Sequence, residues 1–94
     1  RWHGRDGRLE LAVIPRFSLS CTDEMLTMAG RYAREHGLRA STHLSENLVE
    51  CEIARERAGT ADYLAVYEAH GLVARGDVFA HCIHLSDSEW DRFA

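Results

Sequence analysis

Apolar positions along the chain change their period three times. Between residues 9 and 14 the run Leu-Glu-Leu-Ala-Val-Ile is short, mostly apolar and bounded by Gly7 and Pro15, which predicts a strand. From Met25 onward the apolar residues recur at three and four. Met25, Met28, Ala29, Tyr32, Ala33 and His36 would form one stripe of a helix. Thr22 stands where an N-cap is needed, and Asp23 and Glu24 fall in the first turn, where the helix dipole favours carboxylates. Gly37 supplies the left-handed residue that ends a helix, with Leu38 closing over it.

The pattern then repeats. A second strand is predicted over 40–44, followed by Ser45-Glu46-Asn47. Asn47, with Glu50 three residues on, resembles a capping box. It opens a helix that runs to about residue 58 and stops at Gly59. A further helix over about 61–69 presents Leu64, Val66 and Tyr67, and Gly71 ends it. The third strand is predicted over 77–85, with Val78, Phe79, Ala80 and Ile83 as its apolar content. Ser86 and Glu89 form a capping box for a last helix.

The order is therefore βα, βαα, βα. Strand starts near 9, 39 and 77 are spaced for parallel strands joined by right-handed helical crossovers rather than for hairpins. The fold class is α/β. Three such units do not close a barrel, since an eight-stranded one takes about 250 residues. The expectation is about three consecutive βα units with parallel strands, either part of a (β/α)8 barrel or an open three-stranded sandwich.

Composition narrows the function classes. The 94 residues carry 11 Lys+Arg against 15 Asp+Glu, a net charge of −4. That balance offers no attraction for nucleic acid or an anionic membrane surface. No apolar run approaches the length of a membrane span. With 46% hydrophobic and 28% charged residues the chain is an ordinary globular sequence, and its single proline leaves no Pro-rich linker to a second domain. The chain opens at Arg1 without an initiator Met or a signal-peptide pattern and closes inside a predicted helix. It reads as a segment of a longer, cytoplasmic protein. Cys21, Cys51 and Cys82 are far apart and form no CxxC pair, which excludes a zinc knuckle or a thioredoxin-type motif. Three reduced thiols filling interior space are expected.

In βα architectures the chemistry lies at the C-terminal ends of the strands. The first strand exits through Pro15-Arg16-Phe17-Ser18, the second through Thr42-His43-Leu44-Ser45-Glu46-Asn47, and the third carries Ala80-His81-Cys82. A strand histidine by itself is most often a satisfied interior residue. Two on adjacent strands, about 5 Å apart, can meet one metal or one substrate atom. His43 and His81 are thus candidates for a shared site, and imidazole nitrogen suits zinc. Glu46, just past the strand end, could reach a water without ligating a metal, or could simply serve the helix dipole. Arg16 offers a planar guanidinium to a carbonyl or ring nitrogen, or a surface ion pair. Phe17 could stack on a flat ring or close the rim. His36 and His70 stand just before terminating glycines, where positive charge suits the dipole. His3 carries little weight, and His84 is the weaker candidate beside His81.

Together the Pro15-Arg16-Phe17-Ser18-Leu19-Ser20-Cys21 exit, the Thr42-His43-Leu44-Ser45-Glu46-Asn47 run and Ala80-His81-Cys82 resemble the guanine deaminase branch of the amidohydrolase superfamily, over about residues 11–86. The resemblance implies a (β/α)8 barrel binding one Zn2+, of which residues 1–94 would be a partial metal-dependent hydrolase domain, roughly strands four to six. By that likeness His43 is the metal ligand and Glu46 carries a proton from the attacking water to the departing amine. His81 holds the intermediate near the metal, and Arg16 and Phe17 contact the purine. The implied reaction is guanine plus water to xanthine plus ammonia. The implied partners are this small-molecule substrate and, in the full-length enzyme, a second copy as a homodimer. The family's histidine-x-histidine pair and its aspartate ligand have no counterpart here, so the isolated chain is expected to hold zinc weakly and to be inactive. Alternatives are a deaminase of the same superfamily acting on adenosine-type or triazine rings, and a non-catalytic α/β domain in which Arg16, His43 and His81 hold an anion.

Overall fold

Three parallel strands organise the chain in the computed structural model, which describes residues 2–94. β1 (Ala12–Val13), β2 (Arg39–Leu44) and β3 (Val78–His81) lie side by side in that order. α1 (Asp23–Glu35) crosses from β1 to β2. α2 (Leu48–Ala58) and α3 (Tyr63–Ala69) cross from β2 to β3, and α4 (Asp87–Phe93) follows. Short 3-10 turns occupy Arg5–Gly7 and Ser18–Ser20. The α/β class and the parallel order match the expectation from spacing.

β1 is much shorter than the apolar run predicts, and register explains why. Ala12 pairs with Arg39 and Val13 with Ala40. β2 cannot start earlier, because Gly37, at φ 63, has just turned the chain out of α1. Residues 9–11 therefore overrun their partner strand, and Leu9 and Leu11 stay exposed. β3 also stops early. His81 and Cys82 take φ values of 74 and 54 and leave the extended conformation. The chain then wraps the end of β2. Cys82 N donates to Leu44 O at 2.8 Å, and Ile83 N and His84 N both donate to Ser45 O at 3.1 Å.

The caps fall where local chemistry places them. Thr22 Oγ1 accepts from Met25 N, and Ser86 and Glu89 form a reciprocal capping box. Asn47 Oδ1 accepts from Val49 N and Glu50 N, but Glu50 does not return the bond. Its Oε1 accepts from Tyr63 Oη at 2.7 Å instead, tying α2 to α3.

The buried face of α1 differs from the predicted stripe. Leu26, Gly30 and Ala33 are buried, whereas Met25, Met28 and Tyr32 are about half exposed. Gly30 sets this rotation. A Cβ there would lie 1.9 Å from His70 O, so α1 packs its bare backbone against the end of α3. Met25, Met28 and Tyr32 instead line a groove of about 290 Å³ with Val13, Ile14 and Pro15.

Along β2, Ala40, Thr42 and Leu44 are buried and alternate with exposed or half-buried Arg39, Ser41 and His43. The first set faces a core that includes Leu26, Ala54, Tyr63, Leu64, Tyr67 and Leu72. Fully burying a side chain such as Leu44 contributes about 1.5–3 kcal/mol. At the opposite end of the sheet, Asp77 accepts hydrogen bonds from Ala40 N, Ala74 N and Arg34 Nη2, which locks the start of β2. No described helix is long and apolar enough to cross a membrane.

Candidate active site

Backbone strain marks the strand exits. The non-glycine residues with positive φ among those described are Asp6, Arg16, Ser45, His81 and Cys82. Four of these five stand at the C-terminal ends of the three strands or within three residues past them. An L-residue pays to adopt this conformation, and such residues persist where surrounding structure holds them, commonly at functional sites.

His43 is fixed at three points. Its main-chain N donates to Arg16 O at 2.9 Å, which continues the β1–β2 ladder beyond the regular strand. Its ring Nδ1 lies 2.7 Å from the same oxygen. A carbonyl oxygen only accepts, so Nδ1 carries the proton, and the neutral ring keeps its lone pair on Nε2. Its own carbonyl accepts from Tyr67 Oη at 2.7 Å. Thr42 Oγ1 adds a third donor to Arg16 O at 2.9 Å.

His81 stacks on this ring, with centroids 5.3 Å apart and planes at 28°. Its Nε2 is 3.4 Å from Glu46 Oε2. The structure therefore brings His43, His81 and Glu46 together. Arg16 joins them through its backbone, while its guanidinium carbon lies 5.6 Å from the centre of the Phe17 ring. His84 lies elsewhere, in a groove of about 460 Å³ that also touches Ser45, Cys51 and Tyr63. His36 and His70 cap the C-terminal ends of α1 and α3. His3 accepts from Leu11 N through Nδ1.

The cysteines behave as filling. Burial pushes the Cys51 and Cys82 thiols above their ordinary value, which keeps them protonated at neutral pH. Both pack against the core, as does Cys21.

Tyr67 and Thr42 support this arrangement through their hydroxyls, a role that neither the apolar stripe holding Tyr67 nor the strand exit holding Thr42 marks in the sequence. The available signal was chemical. A tyrosine in the middle of a buried apolar helix must send its hydroxyl to a partner.

One imidazole with its Nδ1 proton anchored on a carbonyl and its Nε2 lone pair available is the donor arrangement of a metal-ligating histidine. The residues thus fit one part of a zinc site. No group of three or more His, Cys, Asp or Glu side chains that could hold a metal occurs among the described residues. Any further ligands must come from outside them.

A parallel α/β sheet with strained exits, paired imidazoles and a carboxylate at its C-terminal edge has its candidate site where proteins of the βα class carry theirs. The family described as "Amidohydrolase family" matches residues 1–94, and the chain belongs to it. It is 41% identical to the guanine deaminase of Escherichia coli (strain K12) over 96 aligned positions, covering 100% of this chain and 22% of that protein. The structure of E. coli guanine deaminase superposes with a TM-score of 0.89 at 40% identity, over 97% of this chain and 21% of that one. Guanine deaminase from C. acetobutylicum, with bound guanine in its active site, gives 0.76 at 34% identity, over 82% and 19% of the two chains. An atrazine chlorohydrolase of Arthrobacter aurescens complexed with zinc gives 0.84 over 99% and 20%, but at 19% identity this is a likeness of fold alone. The chain spans about one fifth of the length of these relatives.

Proposed function

We propose that these residues are roughly strands four to six of a (β/α)8 barrel, and that the full-length enzyme is a zinc-dependent guanine deaminase. The observation that carries the reading is the arrangement at His43. Its Nδ1 proton is committed to Arg16 O, its Nε2 is left as a donor, and His81 with Glu46 stands beside it. The likeness to guanine deaminases at about 40% identity selects the substrate.

In this reading His43 would hold zinc through Nε2, with the remaining ligands supplied by other strands. Zinc, when bound, lowers the pKa of water towards 7 and so supplies a nucleophile at neutral pH. Glu46 takes the proton that the attacking water gives up and passes it to the amino group that leaves as ammonia. General acid–base work of this kind is worth about 10²–10⁴ in rate. His81, held against both His43 and Glu46, donates to the oxygen added to the ring. Arg16 and Phe17, on the strained exit of β1, orient the purine by hydrogen bonding and stacking. The atoms balance as guanine plus water giving xanthine plus ammonia.

The test is ammonia release by the full-length enzyme with guanine, with adenine-type bases and with aminotriazines. Release from guanine far above the others supports the reading. A preference for either other class, or no turnover at all, rejects it.

A further inference from the structure

We propose that Tyr67 is a positioning residue for this site, its hydroxyl holding the Arg16–Phe17 exit of β1 in register with His43. The proposal rests on the function proposed above. Tyr67 is fully buried in α3, stacked beside Tyr63 with ring centroids 5.5 Å apart. Its oxygen gathers three partners from two other segments. It donates to His43 O at 2.7 Å, accepts from Ser18 N at 2.9 Å, and lies 3.2 Å from Thr42 Oγ1.

A phenol has one proton and two lone pairs; here the proton goes to His43 O and one lone pair takes the Ser18 N–H, while Thr42 Oγ1 shares its single proton between Arg16 O and the phenol oxygen. Packing alone does not need them, because a phenyl ring would fill the same space. The partners are what distinguish Tyr67 from its neighbour. Tyr63 sends its hydroxyl to Glu50 on α2, within the helical layer. Tyr67 sends its own to His43 itself and to Ser18, the residue after Phe17. The exit needs such a tether, because Arg16 stands at φ 35. A strained backbone relaxes unless several bonds oppose it. Without the hydroxyl, Ser18 N–H loses its acceptor and the Phe17–Ser18 turn is released. His43 keeps both of its bonds to Arg16 O, so the metal side of the site remains in place.

The asymmetry makes the proposal testable. In the full-length enzyme, Tyr67→Phe is expected to raise KM for guanine about tenfold while kcat stays within about threefold and zinc content is unchanged. A purely structural role would lower the fraction of folded enzyme, and so apparent kcat, without moving KM. Leu72→Val, a core truncation in the turn before β3, serves as the comparison and should lower Tm with KM unchanged. Thr42→Val removes a donor to Arg16 O and a neighbour of the phenol oxygen while leaving the Tyr67 hydroxyl and its bonds to His43 and Ser18 in place, and it should reproduce the rise in KM. It decides the question if Tyr67→Phe does not fold. Wild-type KM in the folded variants, with only Tm lowered, overturns the positioning role. Failure of the wild-type enzyme to deaminate guanine overturns the proposed function and this role with it.

Discussion

His43 and His81 stack at 5.3 Å although they are one residue out of register. His43 pairs across the sheet with Ala80, and His81 pairs with Leu44. In a regular pleat, a residue opposite Leu44 points to the side of the sheet that Leu44 occupies, which is the buried helical side. The φ of 74 at His81 breaks the pleat and re-aims the ring towards His43. The shared site therefore depends on a backbone conformation as much as on two histidine side chains.

Glu46 and His43 should separate cleanly in the full-length enzyme. Glu46→Gln keeps shape and polarity but accepts no proton, so turnover should fall by about 10²–10⁴ with zinc retained. His43→Ala should lose the metal, and activity with it. Metal analysis beside an ammonia assay checks both. Zinc and turnover falling together in Glu46→Gln would make Glu46 a ligand or a structural cap.

Gly30→Ala should be costly for so small a change. The new methyl would sit 1.9 Å from His70 O, a backbone atom that moves only if α1 and α3 separate. Overpacking of this kind costs about 1–3 kcal/mol or more. A chemical denaturation midpoint equal to wild type would mean that α1 does not pack here as described.

Stability should fall in alkali. Cys51, Cys82, Tyr63 and Tyr67 all have pKa values raised by folding, with burial as the largest cause. Each binds its proton more tightly folded than unfolded. Their contribution is complete below the ordinary values of 9.0 for the thiols and 10.0 for the phenols. It is lost as pH rises above those values. Thermal melts across about pH 7–11 should show Tm dropping from near pH 9 upward. A Tm that climbs through that range would contradict the burial of these groups.

The isolated 94 residues should bind zinc weakly and show no turnover. Two imidazoles are a poor substitute for a complete ligand set. The apolar groove along β1 and α1 and the exposed Leu9, Leu11 and Ile14 should also make the segment prone to associate. Dialysis against zinc with metal analysis, and light scattering, test this. Tight one-to-one zinc with measurable turnover would mean that these residues supply the whole site.

What the sequence by itself determined is local. Thr22, Asn47 and Ser86 cap the helices they were expected to cap, and Gly37, Gly59 and Gly71 all take positive φ where helices end. A cap or a terminating glycine acts within a few residues, so its chemistry is legible in the string. Strand order followed from spacing for a similar reason, since parallel neighbours need long crossovers. The tertiary structure alone decided the rest. The length of β1 depends on where β2 begins, and the buried face of α1 depends on how near α3 comes to Gly30. The meeting of His43 and His81 depends on a left-handed residue that no periodicity marks. The partners of the Tyr67 hydroxyl lie 24 and 49 residues away, at His43 and Ser18. Contacts made across such separations exist only once the sheet and helices have docked, and it is those contacts that turn two strand histidines and a carboxylate into one site.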